Sequence, residues 1–182
     1  MTATRAAAPG PVDAVAILTA GHDSLKKQFS EFRLFYLRGE RAEAEAVARR
    51  ICREWTIHST IEEEIFYPEA RAAIGDAKLV DDANADRAAA KELVMQILDS
   101  AIEDEKFAAR VSMLAEYINH HIREEQEEVF PQARSAGLDM DEIGARMLAR
   151  SFDLEAEHPV ADDSNVTRGG REGAAIRGSS RI

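Results

Sequence analysis

The chain has 182 residues, 45% of them apolar and 31% charged, enough to bury one substantial core and too few for two comfortable domains. Its 34 acidic against 23 basic residues give a formal net charge of -11, which argues against a nucleic-acid footprint or a polybasic membrane patch and makes a cation the more natural partner. Gly (10) and Pro (5) are scarce while Ala, Glu, Arg and Leu abound, so the composition favours an all-α fold.

Residues 1–12 are small and carry two prolines, which reads as a flexible lead-in. The apolar run from Val12 to Ala20 is interrupted by Asp13 and is far shorter than a membrane span, and no export signal precedes it. The lone Cys52 has no partner for an internal disulfide, and a buried thiol is its plainer reading over a reactive one. Together these features suggest a cytoplasmic protein without a membrane anchor.

The first helix is predicted from Asp13 to about Leu37, with Ile17, Leu18, Leu25, Phe29, Phe32 and Tyr36 at helical spacing and Gly39 as its stop. A second runs from about Arg41 through Val47, Ile51, Trp55, His58, Glu62 and Ile65 to Phe66 or Tyr67, where Pro68 disfavours continuation. One more turn follows, closed by Gly75. A third helix spans about Ala77 to Ala101, with Val80, Ala83, Arg87, Ala90, Leu93, Val94 and Ile97 in one stripe. The fourth runs from about Glu105 through Val111, Leu114, Ile118, His121, Ile122 and Glu125, and stops before Pro131. A short fifth helix extends from a capping-box start at Asp139 to about Leu154. The expected architecture is an up-down four-helix bundle over 13–157 with a covering fifth helix. Residues 158–182 read as a disordered, Gly- and Arg-rich tail able to meet an acidic protein partner or the bundle's own acidic surface.

Two segments match in context. His58, three residues, Glu62 and then Tyr67-Pro68 stand above His121, three residues, Glu125 and then Phe130-Pro131. Positions i and i+4 share a helix face, so each motif presents an imidazole and a carboxylate in one direction. Mixed His and Glu ligands inside a bundle describe a non-haem iron or manganese site. The order also separates this pattern from the Glu-x-x-His of ferritin-like bundles. A single His-x-x-x-Glu means little, because such pairs often stabilise exposed helix faces; two in register carry the argument. His22 projects from the apolar face of the first helix, where it is either a satisfied core histidine or a further ligand. His120 points about 100° away from His121, toward solvent or a neighbouring helix. Tyr117 lies one turn before His121 and is either core packing or a neighbour of the site, and His158 at the tail boundary reads as solvated.

Over roughly residues 13–135 these features resemble the hemerythrin-like, HHE cation-binding family: His22-Asp23 in the first helix, His58 to Glu62 before Phe-Tyr-Pro, and His120-His121 to Glu125 before Phe-Pro. The resemblance implies a bridged iron pair at mid-bundle, with Glu62 and Glu125 as bridges and His22, His58 and His121 as terminal ligands. It further implies dioxygen, nitric oxide or peroxide as small ligands, or a role in iron homeostasis. The family places at least one histidine on the third helix, and the matching position here is Arg87, which stays protonated and cannot ligate a cation. One iron would then keep His22 and His58, and the other only His121, completed by water, Asn84 or Asp86.

Two functional classes follow. One is an iron-binding or -sensing protein, with weak peroxidase- or catalase-like chemistry as its enzymatic extension. The other is a metal-free regulatory bundle in which Arg87 takes over a metal's charge through hydrogen bonds to Glu62 or Glu125.

Overall fold

A computed structural model of the chain describes residues 12–75 and 77–157, with the side chains of 77–86 left out. The lead-in 1–11, the tail from His158 onward, and the side chains of Val80, Ala83, Asn84 and Asp86 lie outside the described residues. Among the described residues the chain forms helices and no strand, and no helix is long and apolar enough to cross a membrane.

Helix α1 (Ala14–Arg38) begins where the Asp13 carboxylate accepts a hydrogen bond from the Ala16 N–H at 3.0 Å. It ends at Gly39, whose φ of 77° only glycine adopts without strain. Helix α2 (Arg41–Ile61) continues through a π-turn at Glu62–Phe66 into α3 (Tyr67–Ile74). Helix α4 spans Ala77–Leu98, α5 spans Phe107–Glu124, and a second π-turn at Glu125–Val129 leads into α6 (Phe130–Ser135). Helix α7 (Met140–Glu157) starts as expected at Asp139, which accepts from the Glu142 N–H at 3.0 Å.

The two prolines are the correction to the sequence reading. Pro68 and Pro131 do not stop their helices, which run on to Ser135 and, through the expected further turn closed by Gly75, to Ile74. A proline ring in a regular α-helix collides with the carbonyl four residues back and offers no N–H. Here the preceding turn is widened: the Tyr67 N–H bonds the Glu62 carbonyl and the Phe130 N–H bonds the Glu125 carbonyl, each five residues back. Each proline then falls within the first two residues of the next α-segment, where its missing N–H costs least. Both widened turns begin at a motif glutamate, so the matched sequences fold into matched distortions, of a kind frequent at functional sites.

Helix α1 packs along α2, and α4 along α5, with short connections that make consecutive helices antiparallel neighbours. Helix α7 lies against α1 and α2. Two apolar clusters fill the interior. One holds Leu25, Phe32, Ile51, Cys52, Trp55, Ile97, Leu114 and Ile118; the other holds Leu18, Ile61, Phe66, Val129, Ile143 and Met147. Along each of three helices the switch from one cluster to the other occurs beside a histidine: His22 between Leu18 and Leu25, His58 just after the step from Trp55 to Ile57, and His121 just before the step from Ile122 to Val129. A buried polar layer therefore divides the core. Cys52 belongs to the first cluster, where burial pushes its thiol up to about 12, so it is the inert packing residue of the plainer reading.

Candidate metal centre

The polar layer gathers His22, His58, Glu62, His121 and Glu125, all buried. One donor atom from each lies within 4.8 Å of every other. His22 Nε2 is 3.1 Å from Glu125 Oε2, and His58 Nε2 is 2.8 Å from Glu62 Oε1. His121 Nε2 sits between the carboxylates, 3.5 Å from Glu62 Oε2 and 3.3 Å from Glu125 Oε2. Close as they are, these atoms do not meet in hydrogen-bonding geometry. His22 Nε2, His58 Nε2, His121 Nε2, both oxygens of Glu62 and Oε2 of Glu125 have no hydrogen-bond partner. Buried polar atoms are rarely left so. Three imidazoles and two carboxylates whose lone pairs converge without bonding one another fit a cation held among them, and the donor chemistry suits iron or manganese.

The electrostatics of the cluster favour a positive charge between its two carboxylates. Burial alone would raise the Glu62 carboxyl, but the charges of the neighbouring His58 and His121 hold it well below the usual carboxylate range, so it is anionic. Burial pushes His22 down, against Glu125, leaving it a neutral imidazole with a lone pair to donate. At His121 burial is outweighed by the charges of Glu125 and Glu62, which raise it to about 9. A folded value above the unfolded one means that protonation of His121 stabilises the ion-free fold fully below about pH 6.5 and that this contribution is lost as pH rises through about 9. Thermal melts in chelator should accordingly show the stability gap between the wild type and His121→Gln shrinking over that interval; a gap independent of pH contradicts it.

Aromatic side chains wall the cluster. The Trp55 ring lies 5.9 Å from that of His58 and meets His121 edge-on at 5.2 Å. The residues directly before the two prolines reach other helices: Phe130 stacks on His22 at 6.0 Å, and the Tyr67 hydroxyl crosses to the other motif and donates to Glu125 Oε1 at 2.5 Å. Tyr67 is the functional neighbour that sequence reasoning missed. Tyr117, weighed for that place, is half-buried against the larger apolar cluster. His120 is exposed beside Glu124, outside the layer as expected.

Arg87 is buried, as the stripe on the third helix required, with its guanidinium carbon 3.9 Å above the centre of the Tyr67 ring. Its Nη1 is 3.9 Å from Glu62 Oε2 and its Nε 3.8 Å from Glu63 Oε1. The first is an ion pair longer than a hydrogen bond, and the hydrogen bond to Glu125 comes from Tyr67 rather than from Arg87.

Gly21, also unnoticed in the sequence, lets α1 approach His58. A Cβ there would lie 2.7 Å from His58 Nδ1 and 3.2 Å from its Cε1. Gly21→Ala is expected to turn the His58 ring and weaken metal binding about 10- to 100-fold, the range for disturbed supports of a ligand. Chelator competition against the wild type measures this, and unchanged affinity contradicts it.

Comparison with known proteins agrees with the geometry. The sequence profile of the Hemerythrin HHE cation binding domain matches residues 13–133. The structure is similar to the crystal structure of a hemerythrin HHE cation-binding domain-containing protein from Mycobacterium kansasii, with a TM-score of 0.68 and 21% identity, covering 80% of this chain and 89% of that one. At that identity the likeness speaks for the fold. No curated protein matches the sequence. With a matched profile over two thirds of its length, a helical bundle of the same fold and a buried cluster of histidines and glutamates, the chain belongs to the hemerythrin HHE cation-binding domain family.

Proposed function

We propose that the protein holds iron through His22, His58, Glu62, His121 and Glu125 and uses it to bind or sense a small ligand: dioxygen, nitric oxide or peroxide. The observation that carries the reading is the set of buried donor atoms that converge without bonding one another. Iron bound there would supply a Lewis-acidic, redox-active centre held by five protein donors. The chain's own residues do the rest. The two apolar clusters and the Trp55 and Phe130 rings keep bulk water from the donors, and Tyr67 fixes the orientation of Glu125. Donors this deeply enclosed favour a resident ion over one handed on, so sensing is preferred to iron homeostasis.

The metal-free regulatory reading accounts less well for the layer. Arg87 offsets one negative charge near Glu62, yet it leaves three buried imidazoles facing two carboxylates without hydrogen bonds, a costly arrangement for a bundle that holds no ion.

The test is anaerobic loading with Fe(II), followed through the fluorescence of Trp55, the chain's single tryptophan, and then exposure to nitric oxide or peroxide. Quenching that a chelator reverses, with a near-ultraviolet or visible band that changes on exposure, is expected. Protein that stays iron-free and colourless would overturn the reading.

A further inference from the structure

Resting on the metal-binding reading above, we propose that the centre takes one ion per chain, because Tyr67 and Arg87 occupy the side of the carboxylates that a second ion would need. A carboxylate bridges two metals only if it can turn one oxygen toward each. Glu125 turns Oε2 toward His22 and His121, at 3.1 and 3.3 Å, but its Oε1 accepts the Tyr67 hydroxyl at 2.5 Å. Glu62 turns Oε1 toward His58 at 2.8 Å, and its Oε2, 3.5 Å from His121, faces the Arg87 guanidinium at 3.9 Å. Of the two second oxygens, Glu125 Oε1 is taken by the Tyr67 hydroxyl, and Glu62 Oε2 lies between His121 and the Arg87 charge.

Tyr67 and Arg87 act as one unit. The phenol ring that bonds Glu125 through its hydroxyl carries the guanidinium on its face at 3.9 Å, and both side chains are buried. The unit is anchored from outside, since Arg87 Nε lies 3.8 Å from Glu63, whose two oxygens also accept from Lys91 Nζ at 2.7 Å. A second dication here would meet a permanent positive charge in a low-dielectric layer, with no ligand from Arg87. The five remaining donors are about as compact as the shell of a single ion. Ligands on opposite sides of a metal about 2.1 Å away stand about 4.2 Å apart, against the 4.8 Å within which all five donors lie.

The experiment is elemental analysis of the full chain after anaerobic Fe(II) loading, together with electron paramagnetic resonance of the Mn(II)-loaded protein. One ion per chain and the resolved hyperfine pattern of an isolated Mn(II) are expected. Two ions, or the signal of a coupled pair, would overturn the single-ion assignment and leave the metal-binding reading intact; no ion at all would remove both. The double variant Arg87→His with Tyr67→Phe should rise from one ion toward two. If it folds, binds metal and stays at one, Tyr67 and Arg87 are not what excludes the second ion; if it does not fold, the wild-type measurement decides alone.

Discussion

Replacing Glu62 by Gln is expected to lower Fe(II) affinity by about 100-fold or more, the upper end of what disturbed metal sites lose, while leaving the bundle folded. The substitution keeps the side chain's volume, so neither apolar cluster is opened. It removes the anion that faces His58 at 2.8 Å and His121 at 3.5 Å, and an amide is a far poorer ligand for a hard cation. Glu62 is fully buried, so no solvent screens the loss. Circular dichroism should match the wild type while a competing chelator strips the variant of iron. Equal affinity would mean that Glu62 lies beside the ion without holding it, and the same comparison with Glu63→Gln, one residue away and half-exposed, separates a ligand's loss from a general loss of negative charge.

A larger effect on stability is expected from Gly144→Ala. Gly144 lies in α7 where that helix crosses the start of α1, and a Cβ there would stand 1.8 Å from the Val12 carbonyl oxygen and 2.9 Å from the Ala14 N. These are backbone atoms, so no side-chain rotation relieves the collision. Either α7 lifts away from its apolar contacts through Ile143 and Met147, or α1 gives up its first turn, which Asp13 caps and Arg134 holds by two bonds of 2.8 Å. Forced overpacking costs about 1–3 kcal/mol in general and more where backbone must move, so a loss of about 3 kcal/mol or more is expected in denaturant titration. A variant as stable as the wild type would show that α7 does not seat on α1 as described. Gly21→Ala makes the contrast, because its added methyl meets the end of the His58 ring instead of backbone. It should affect metal affinity more than folding.

The helices were legible because each carries an apolar stripe at helical spacing, and four of the five proposed ligands were legible because i and i+4 positions necessarily share a face. His22 needed the two motifs beside it before its place on the apolar face of α1 meant more than core packing. A turn after Pro68 closed by Gly75 was legible, but its continuity with the preceding helix and the continuation past Pro131 were not: a proline's local effect is to end a helix, and only the five-residue backbone bonds from Tyr67 to Glu62 and from Phe130 to Glu125 reveal how the chain avoids it. Tyr67 was hidden for another reason. Its partner Glu125 is 58 residues away, and which residue of one motif reaches into the other depends on the rotation imposed by the π-turns, which spacing does not encode. Arg87 could be identified as the occupant of the expected ligand position, but its seat on the Tyr67 ring follows only once Tyr67 is placed.

The most direct test is a crystal structure of the iron-loaded protein with data collected at the iron absorption edge. One anomalous-scattering peak enclosed by His22, His58, Glu62, His121 and Glu125 is the expected result. A peak elsewhere, or no peak in protein shown by elemental analysis to have been incubated to saturation with iron, would contradict the claim that these five residues form the metal centre.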